Sequence, residues 1–475
     1  MSQKRRVPFT VVRTWRFLRQ LLSNKLAFAG LFLLLSFVFI AVAAPILTPY
    51  PPQGAVVSGP LAAPVWVRYI KGDAGLSQNV NFAGVSATGG TGVTLSSTVT
   101  GPNSIDLQIF SPSGGTLAAQ ESHDYVYTGP PSRFIGGLSV TPSGTTTSGN
   151  IKAIVYVDRF DSNNQFLKRY CCLWNHTSPA NVAFQQSLDS YSNDIVTGLG
   201  LIGAGSGPPD FIFSAPGRYV YSLQLTVPAG FQGHLLVQNF NLLLYGNTWG
   251  PMGTDDGGQD IFTQFVYGAR LSLYVGLAAT FIGISLGLLI GLMAGYLGKF
   301  VDEILMRFTD MILVIPGLPL LIVLSFVLGP SLTTIILLLG LLGWPGFARL
   351  IRSQVLSLRE RPFIEAAKAS GGGTAYIMAR HVLPSLIALT YVNLALSVPA
   401  AIVGEAALSF LGLGDPTQVT WGKMLELARG AGSAGSLTWW WIVPPGIGIA
   451  ILSLSFILIG YSLDEMFNPR LRRRR

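Results

Sequence analysis

Charge is scarce in this chain. Only 11% of its 475 residues are Asp, Glu, Lys or Arg, against about 25% in soluble domains. Two cysteines and four histidines exclude a disulfide scaffold and leave no dense set of soft metal ligands. No G-x-x-x-x-G-K-[ST] string occurs; Gly298-Lys299 and Gly422-Lys423 lack the rest of a phosphate-cradling loop. What abounds is apolar: 49% of residues are hydrophobic and the mean hydropathy is +0.48. This composition excludes a disordered chain and a coiled-coil rod, and points to an integral membrane protein with a water-exposed portion.

The surplus of nine positive charges is unevenly placed. Residues 48–260 hold eight Lys/Arg against twelve Asp/Glu, so the rest of the chain carries more than the whole surplus. Its cations gather before residue 26, over residues 349–380 and over residues 470–475, each group beside an apolar run. That is the pattern of membrane topology rather than of nucleic-acid binding. A spanning helix needs about 20 apolar residues. Residues 26–47 supply one, preceded by seven cations and no acid, which predicts a retained span with a cytoplasmic N-terminus rather than a cleaved leader. Uncharged runs follow at 271–298 and 311–348. The second is too long for one span, and Gly329-Pro330-Ser331 divides it. Residues 382–404 and 437–463 complete six spans, with both termini inside. The loop 349–380, with six Lys/Arg and two Glu, also falls inside.

Residues 48–260 contain no comparable run. They read as short alternating segments between turn clusters: SIDLQIF at 104–110, IKAIVYV at 151–157, GRYVYSLQLTV at 217–227 and residues 234–245. This spacing predicts an antiparallel β-sandwich outside the membrane, with one helical excursion over residues 175–196. Cys171 and Cys172 are adjacent, a spacing at which bridging is rare, and read as buried strand residues. His123, His176 and His234 show no metal-ligand spacing.

Residues 361–384 read RPFIEAAKASGGGTAYIMARHVLP. Pro362 suits a first helical turn, Gly371 a left-handed helix stop, and Thr374 the cap of a second helix. The segment predicts a short helix–turn–helix presenting Ile364, Ala366 and Ala367 to a partner, with Glu365 and Lys368 alongside. Within the spans, Arg307 and Asp310 stand three apart and can pair on one helix face. Glu405 is isolated in an apolar run, where a charge usually faces protein or a cavity. Pro316 and Pro345 interrupt helix interiors.

Glu365-Ala366-Ala367, Gly371 and the HVLP string at 381–384 resemble the EAA loop of ABC-importer permeases, although the general pattern has Ile at the place of His381. GTDDGGQD at 253–260, YGARLS at 267–272, GWPG at 343–346, LSLRE at 356–360 and LSFLGLG at 408–414 resemble the C-type permease of dipeptide, oligopeptide and nickel importers. The resemblance covers the first span and residues 250–472. Two features depart from it: Gln259 stands where the family usually has Arg, and the roughly 200-residue insertion is unusual.

The resemblance implies an all-α membrane fold of the type I importer class with six transmembrane helices, carrying an inserted extracytoplasmic all-β domain. The expected organisation is a cytoplasmic tail (1–25), a first span (26–47), the insertion (48–250), a five-helix core with a coupling loop at 355–381 (251–465) and a basic tail (466–475). The expected function is ATP-driven import of peptides, with oligosaccharides or nickel as alternative cargo. An ion-driven secondary transporter is the rival class. Expected partners are a homologous second permease, two cytoplasmic ATPase subunits, an extracytoplasmic binding protein and membrane lipid; no nucleic acid, metal, cofactor or catalytic residue is expected. The coupling residues it implies are Ile364, Glu365, Ala366, Ala367, Lys368 and Gly371. Arg307, Asp310, Pro316, Pro345 and Glu405 are candidates for the pathway or its gating.

Overall fold

The computed structural model describes residues 22–71, 75–144, 149–203, 205–432 and 438–467. Most of the N-terminal basic tail and the run 470–475 lie outside the described residues. Two compact units emerge: residues 54–261, and a second made of residues 1–53 and 262–475.

The first unit is a β-sandwich. Its strands are β1 (Val80–Asn81), β2 (Ser86–Gly89), β3 (Thr94–Gly101), β4 (Ser104–Ser111), β5 (Gly115–Tyr125), β6 (Arg133–Gly144), β7 (Asn150–Phe160), β8 (Phe166–Pro179), β9 (Phe184–Asp189), β10 (Gly217–Val227) and β11 (Phe231–Tyr245). One sheet runs β3-β4-β11-β6-β9, with β1 also on β11; the other runs β2-β5-β10-β7-β8. Neighbouring strands in both sheets run antiparallel. Period-two alternation turns Tyr219, Tyr221, Leu223 and Leu225 of β10 inward, where they meet Leu235, Val237 and Phe240 of β11 in one core. Tyr221 stacks on Phe240, ring centroids 4.7 Å apart.

Two sequence expectations fail in this unit. The helix expected over residues 175–196 is mostly strand: β8 runs to Pro179, β9 follows, and only Asn193–Gly198 is helical. The cysteines are not a pair of buried strand residues. Cys171 is exposed and bonded to Cys172. The two sit where the β7–β8 register slips between Val155↔Trp174 and Val157↔Tyr170, and Cys172 has φ +70°. A bulge therefore takes both residues out of the regular alternation.

The second unit is helical: α1 (Lys25–Leu47), α2 (Ile261–Leu297), α3 (Lys299–Val314), α4 (Gly317–Leu328), α5 (Leu332–Arg359), α6 (Pro362–Ala369), α7 (Thr374–Ile377), α8 (Leu383–Leu408), α9 (Trp421–Gly430) and α10 (Trp439–Phe467). Single π turns lead into α8 (Met378–Val382) and out of it (Ser409–Leu413). Among the described residues, five helical stretches are long and apolar enough to cross a membrane, and a sixth crossing arises if α3 and α4 count as one broken span. The third expected span is thus not one straight helix. It bends by 87° between α3 and α4, at Ile315-Pro316, because Pro316 supplies no N–H to continue α3. The break at residues 329–331 lies where the sequence places it, with Gly329 at φ +87°.

Close helix packing is built on glycine. Gly283, Gly287, Gly291 and Gly295 recur every fourth residue along one face of α2 and lie on α5. A Cβ at Gly287 would stand 2.8 Å from Trp344 O, and one at Gly295 2.7 Å from Val355 Cβ. Small residues let two backbones approach where lipid offers no hydrophobic drive. Gly30 does the same for α1 on α10, its Cβ position lying 2.8 Å from Ser455 O. Asn24 caps α1 by accepting from Leu26 N at 2.9 Å and donates to Glu465 Oε2 at 3.1 Å.

Candidate coupling helix and intramembrane polar sites

The loop between α5 and α8 is built to hold one short helix in place. Arg361 leaves the helical region (φ −80°, ψ 141°) and Pro362 opens α6. Glu365 lies in the first turn and Lys368 in the last, each on the side that the helix dipole favours. Gly371, at φ +82°, ends the helix, with its N–H donating to Lys368 O at 2.9 Å and Gly372 N–H to Ala367 O at 3.0 Å. Thr374 is not a cap. The capping position falls to Gly373, and Thr374 is the first residue of α7.

Side-chain burial divides α6 into two faces. Ile364 is fully buried, which corrects its expected place on a presented surface. It sits in a cluster with Ile284 and Leu292 of α2, Ile351 and Val355 of α5, and Leu386 of α8. Glu365, Ala366 and Lys368 are exposed and Ala367 is half-buried. The apolar side chain on the open face is Phe363, 46% exposed. The sequence does not single it out, because an apolar residue in a short helix can face the core or a partner and the pattern does not say which. The Lys368 ammonium lies 5.8 Å from the centre of the Tyr296 ring.

The expected Arg307–Asp310 pair does not form. Arg307 binds Glu303 one turn earlier at 2.7 Å, and Asp310 reaches across to Arg349 of α5 at 2.5 Å. A neighbouring bridge joins Arg352 of α5 to Asp302 of α3. Pro316 is exposed at the α3–α4 bend, and Pro345 is buried inside α5. Glu405 is buried in α8, 1% exposed, and its Oε1 accepts from Ser409 Oγ at 2.7 Å. A cavity of about 280 Å³ lies among α2, α4, α5 and α8, lined by small and apolar residues with Thr280 and Ser397. None of the five candidate pathway residues lines it, and the structure does not bring the five together.

Beside Glu405 lies an anchor that no motif announced. Trp421, fully buried at the start of α9, donates from Nε1 to Phe265 O at 3.0 Å. It stacks on the Phe265 ring at 5.5 Å and meets Phe37 edge-on at 5.6 Å. Gly268 and Gly448 make room for it, and Gly422 lets α9 lie against Ala406 of α8.

Two family models match this chain. Residues 287–473 match the model of the binding-protein-dependent transport system inner membrane component, and residues 13–64 match the N-terminal TM domain of oligopeptide transport permease C. The dipeptide transport system permease protein DppC of Alkalihalophilus pseudofirmus is 41% identical over 221 residues, covering 46% of this chain and 72% of the relative. DppC of Bacillus subtilis is 38% identical over 222 residues, covering 46% and 69%. Among solved structures, the inward-facing MetNI methionine ABC transporter overlaps 43% of this chain and 94% of its own at 18% identity and TM-score 0.35. A family 11 carbohydrate-binding module of Clostridium thermocellum overlaps 36% and 98% at 11% identity and TM-score 0.21.

Proposed function

Because the chain belongs to the family of binding-protein-dependent inner-membrane transport components and is a multi-pass permease subunit of an ABC importer, we propose that it forms half of a translocation pathway for short peptides, driven through α6. The peptide class is drawn from its relatives, named as dipeptide and peptide permeases. In this reading two cytoplasmic ATPase subunits supply the energy, a homologous permease supplies the other half of the pathway, and an extracytoplasmic binding protein delivers the cargo. Both termini and α6 face the cytoplasm, following the six cations of residues 349–380, and the β-sandwich faces outward. Lipid surrounds the exposed apolar faces of the spans.

The observation that carries the reading is the split of α6 into an open face and an anchored one. Phe363, Glu365, Ala366 and Lys368 are free to dock, while Ile364 is locked among side chains of α2, α5 and α8. Closure of the ATPases on ATP displaces the docked face. Ile364 then passes the displacement to three spanning helices at once, since a packed cluster moves as a body rather than deforming. Gly371 keeps α6 separate from α7, so the lever turns without unwinding the next helix. Transmission requires that docking contacts differ in energy between the inward-open and outward-open arrangements. The bend at Pro316 and the proline inside α5 are where the spans flex. In this scheme Asp310 braces α3 against α5 through Arg349, while Arg307 and Glu405 are held within their own helical stretches by Glu303 and Ser409.

Co-purification tests the reading. Glu365→Lys reverses the charge on the open face without touching the core, and is expected to release the ATPase subunits while leaving the permease folded in the membrane. Retained assembly together with retained peptide uptake in that variant would overturn it.

A further inference from the structure

At one end of the β-sandwich, the last residues of β5 and β7 and the first of β10 surround a cleft of about 730 Å³, a size suited to a small ligand. Four charged side chains line it: Arg159, Arg218, Asp124 and Asp161. Among the described residues none of the four enters an ion pair. Both signs therefore face one space without direct contact, Arg218 and Asp124 standing opposite each other in the β5–β10 register.

The cations are held by neutral acceptors. Arg218 donates from Nη1 to Asn164 Oδ1 at 3.2 Å and from Nη2 to Ser122 Oγ at 3.3 Å. Arg159 donates from Nη2 to Pro216 O at 3.1 Å and lies 5.9 Å from the centre of the Tyr219 ring. Its Nε is buried and finds no partner among the described residues. The acid opposite is equally fixed. Asp161 Oδ1 accepts from the amides of Asn163 at 2.9 Å and Gln165 at 2.7 Å, which folds the β7–β8 turn back on itself and leaves Oδ2 uncommitted. Three of the four charges are thus held in place, so a ligand has little ordering left to do. Val126 and Leu167, 68% and 52% exposed, give the cleft an apolar wall.

We propose that this cleft binds the ionised ends of a short, unblocked peptide, with the carboxylate on Arg218 and Arg159 and the ammonium at Asp161 and Asp124. A simple anion would leave both acids facing it, and a simple cation both guanidinium groups. A zwitterion satisfies the four together, and planar guanidinium groups suit a carboxylate. This reaches beyond the importer reading, because binding to the sandwich needs neither the ATPase subunits nor transport.

The test is calorimetric titration of the full chain in lipid nanodiscs, without ATPase subunits, with Ala-Ala and Ala-Ala-Ala. The counter-probes are N-acetyl-Ala-Ala, Ala-Ala amide and the peptide blocked at both ends. Binding of the free peptides is expected, at least tenfold weaker with one end blocked and absent with both. Arg218→Gln and Asp161→Asn should each weaken it at least tenfold with the thermal midpoint unchanged; the asparagine retains the Oδ1 that the turn requires. No binding of either free peptide, equal binding of free and blocked peptides, or unchanged affinity in both variants would overturn the proposal. Since uptake is not measured, none of these outcomes bears on whether the assembled importer carries peptides.

Discussion

Arg352 of α5 grips Asp302 of α3 with two hydrogen bonds, Nε to Oδ1 at 2.5 Å and Nη2 to Oδ2 at 2.6 Å. With Arg349–Asp310 one turn away, it fixes α3 against α5 just before the chain bends into α4. The Asp302 carboxylate is only 17% exposed, so losing its partner leaves a charge with little water. Arg352→Gln is expected to cost about 1–3 kcal/mol, read as a lower thermal midpoint of the purified permease. Exchanging the two residues should recover part of that loss; a double exchange no better than the single change would show that the pair itself contributes little.

The glycine face of α2 makes a steric prediction. A Cβ at Gly291 would stand 2.8 Å from Ile351 Cβ, whereas nothing lies within 4 Å of one at Gly343 in α5. Gly291→Ala should destabilise the permease by about 1–3 kcal/mol through overpacking, while Gly343→Ala should be neutral or stabilising by about 0.5–1 kcal/mol. Comparable melting of the two variants would mean that α2 and α5 do not touch along this face.

Glu121 predicts a pH dependence in the β-sandwich. It is 1% exposed, neither carboxylate oxygen finds a partner among the described residues, and burial pushes its pKa from 4.5 up to about 8. The folded state therefore holds its proton where the unfolded chain has released it. Stability from this group is complete below about pH 4.5 and falls as pH rises toward 8, by at most about 1.4 kcal/mol per unit. Glu121→Gln should remove that slope and raise resistance of the sandwich to proteolysis at pH 8. An unchanged slope in the variant would assign the effect to another group. Tyr221, directly opposite Glu121 in the β5–β10 register, is pushed up by burial first and then by the carboxylate, so it stays neutral throughout.

Much of this architecture was legible in the sequence, and what was not has a common physical cause. GRYVYSLQLTV gave β10 to the residue, because alternation in a two-layer sandwich is a local signal. Gly371 and Gly329 were legible because only a left-handed backbone needs glycine there. Ile364 was misplaced because an apolar residue in a charged loop can face a partner or the core, and α2, α5 and α8 decide which. Arg307 and Asp310 were mispaired because spacing along one helix is silent about α5. Trp421 carried no motif at all. The Gly283-to-Gly295 repeat, by contrast, was present to be read: a four-residue period of glycine in an apolar run marks a packing face.

The insertion is tied at its base. Its two ends lie together: Val56 pairs with Gln259 as an antiparallel bridge, Val57 N–H donates to Gly258 O at 2.8 Å, and Gly54 N–H donates to Gln259 Oε1 at 3.0 Å. Gln259, standing where relatives are expected to carry Arg, acts here as a neutral clasp between entry and exit. A domain whose chain enters and leaves at neighbouring points can be removed with little disturbance to what it interrupts. Replacing residues 57–258 with a short Gly-Ser turn should therefore leave a permease that inserts and binds its ATPase subunits through α6. If the cleft binds peptide as proposed, uptake should persist with a raised half-saturation concentration for peptide and little change in maximal rate, since only capture would be lost. If uptake kinetics are identical with and without the insertion, the sandwich has no part in capture; if assembly fails, the two units are not separable in the way that the Val56–Gln259 clasp implies.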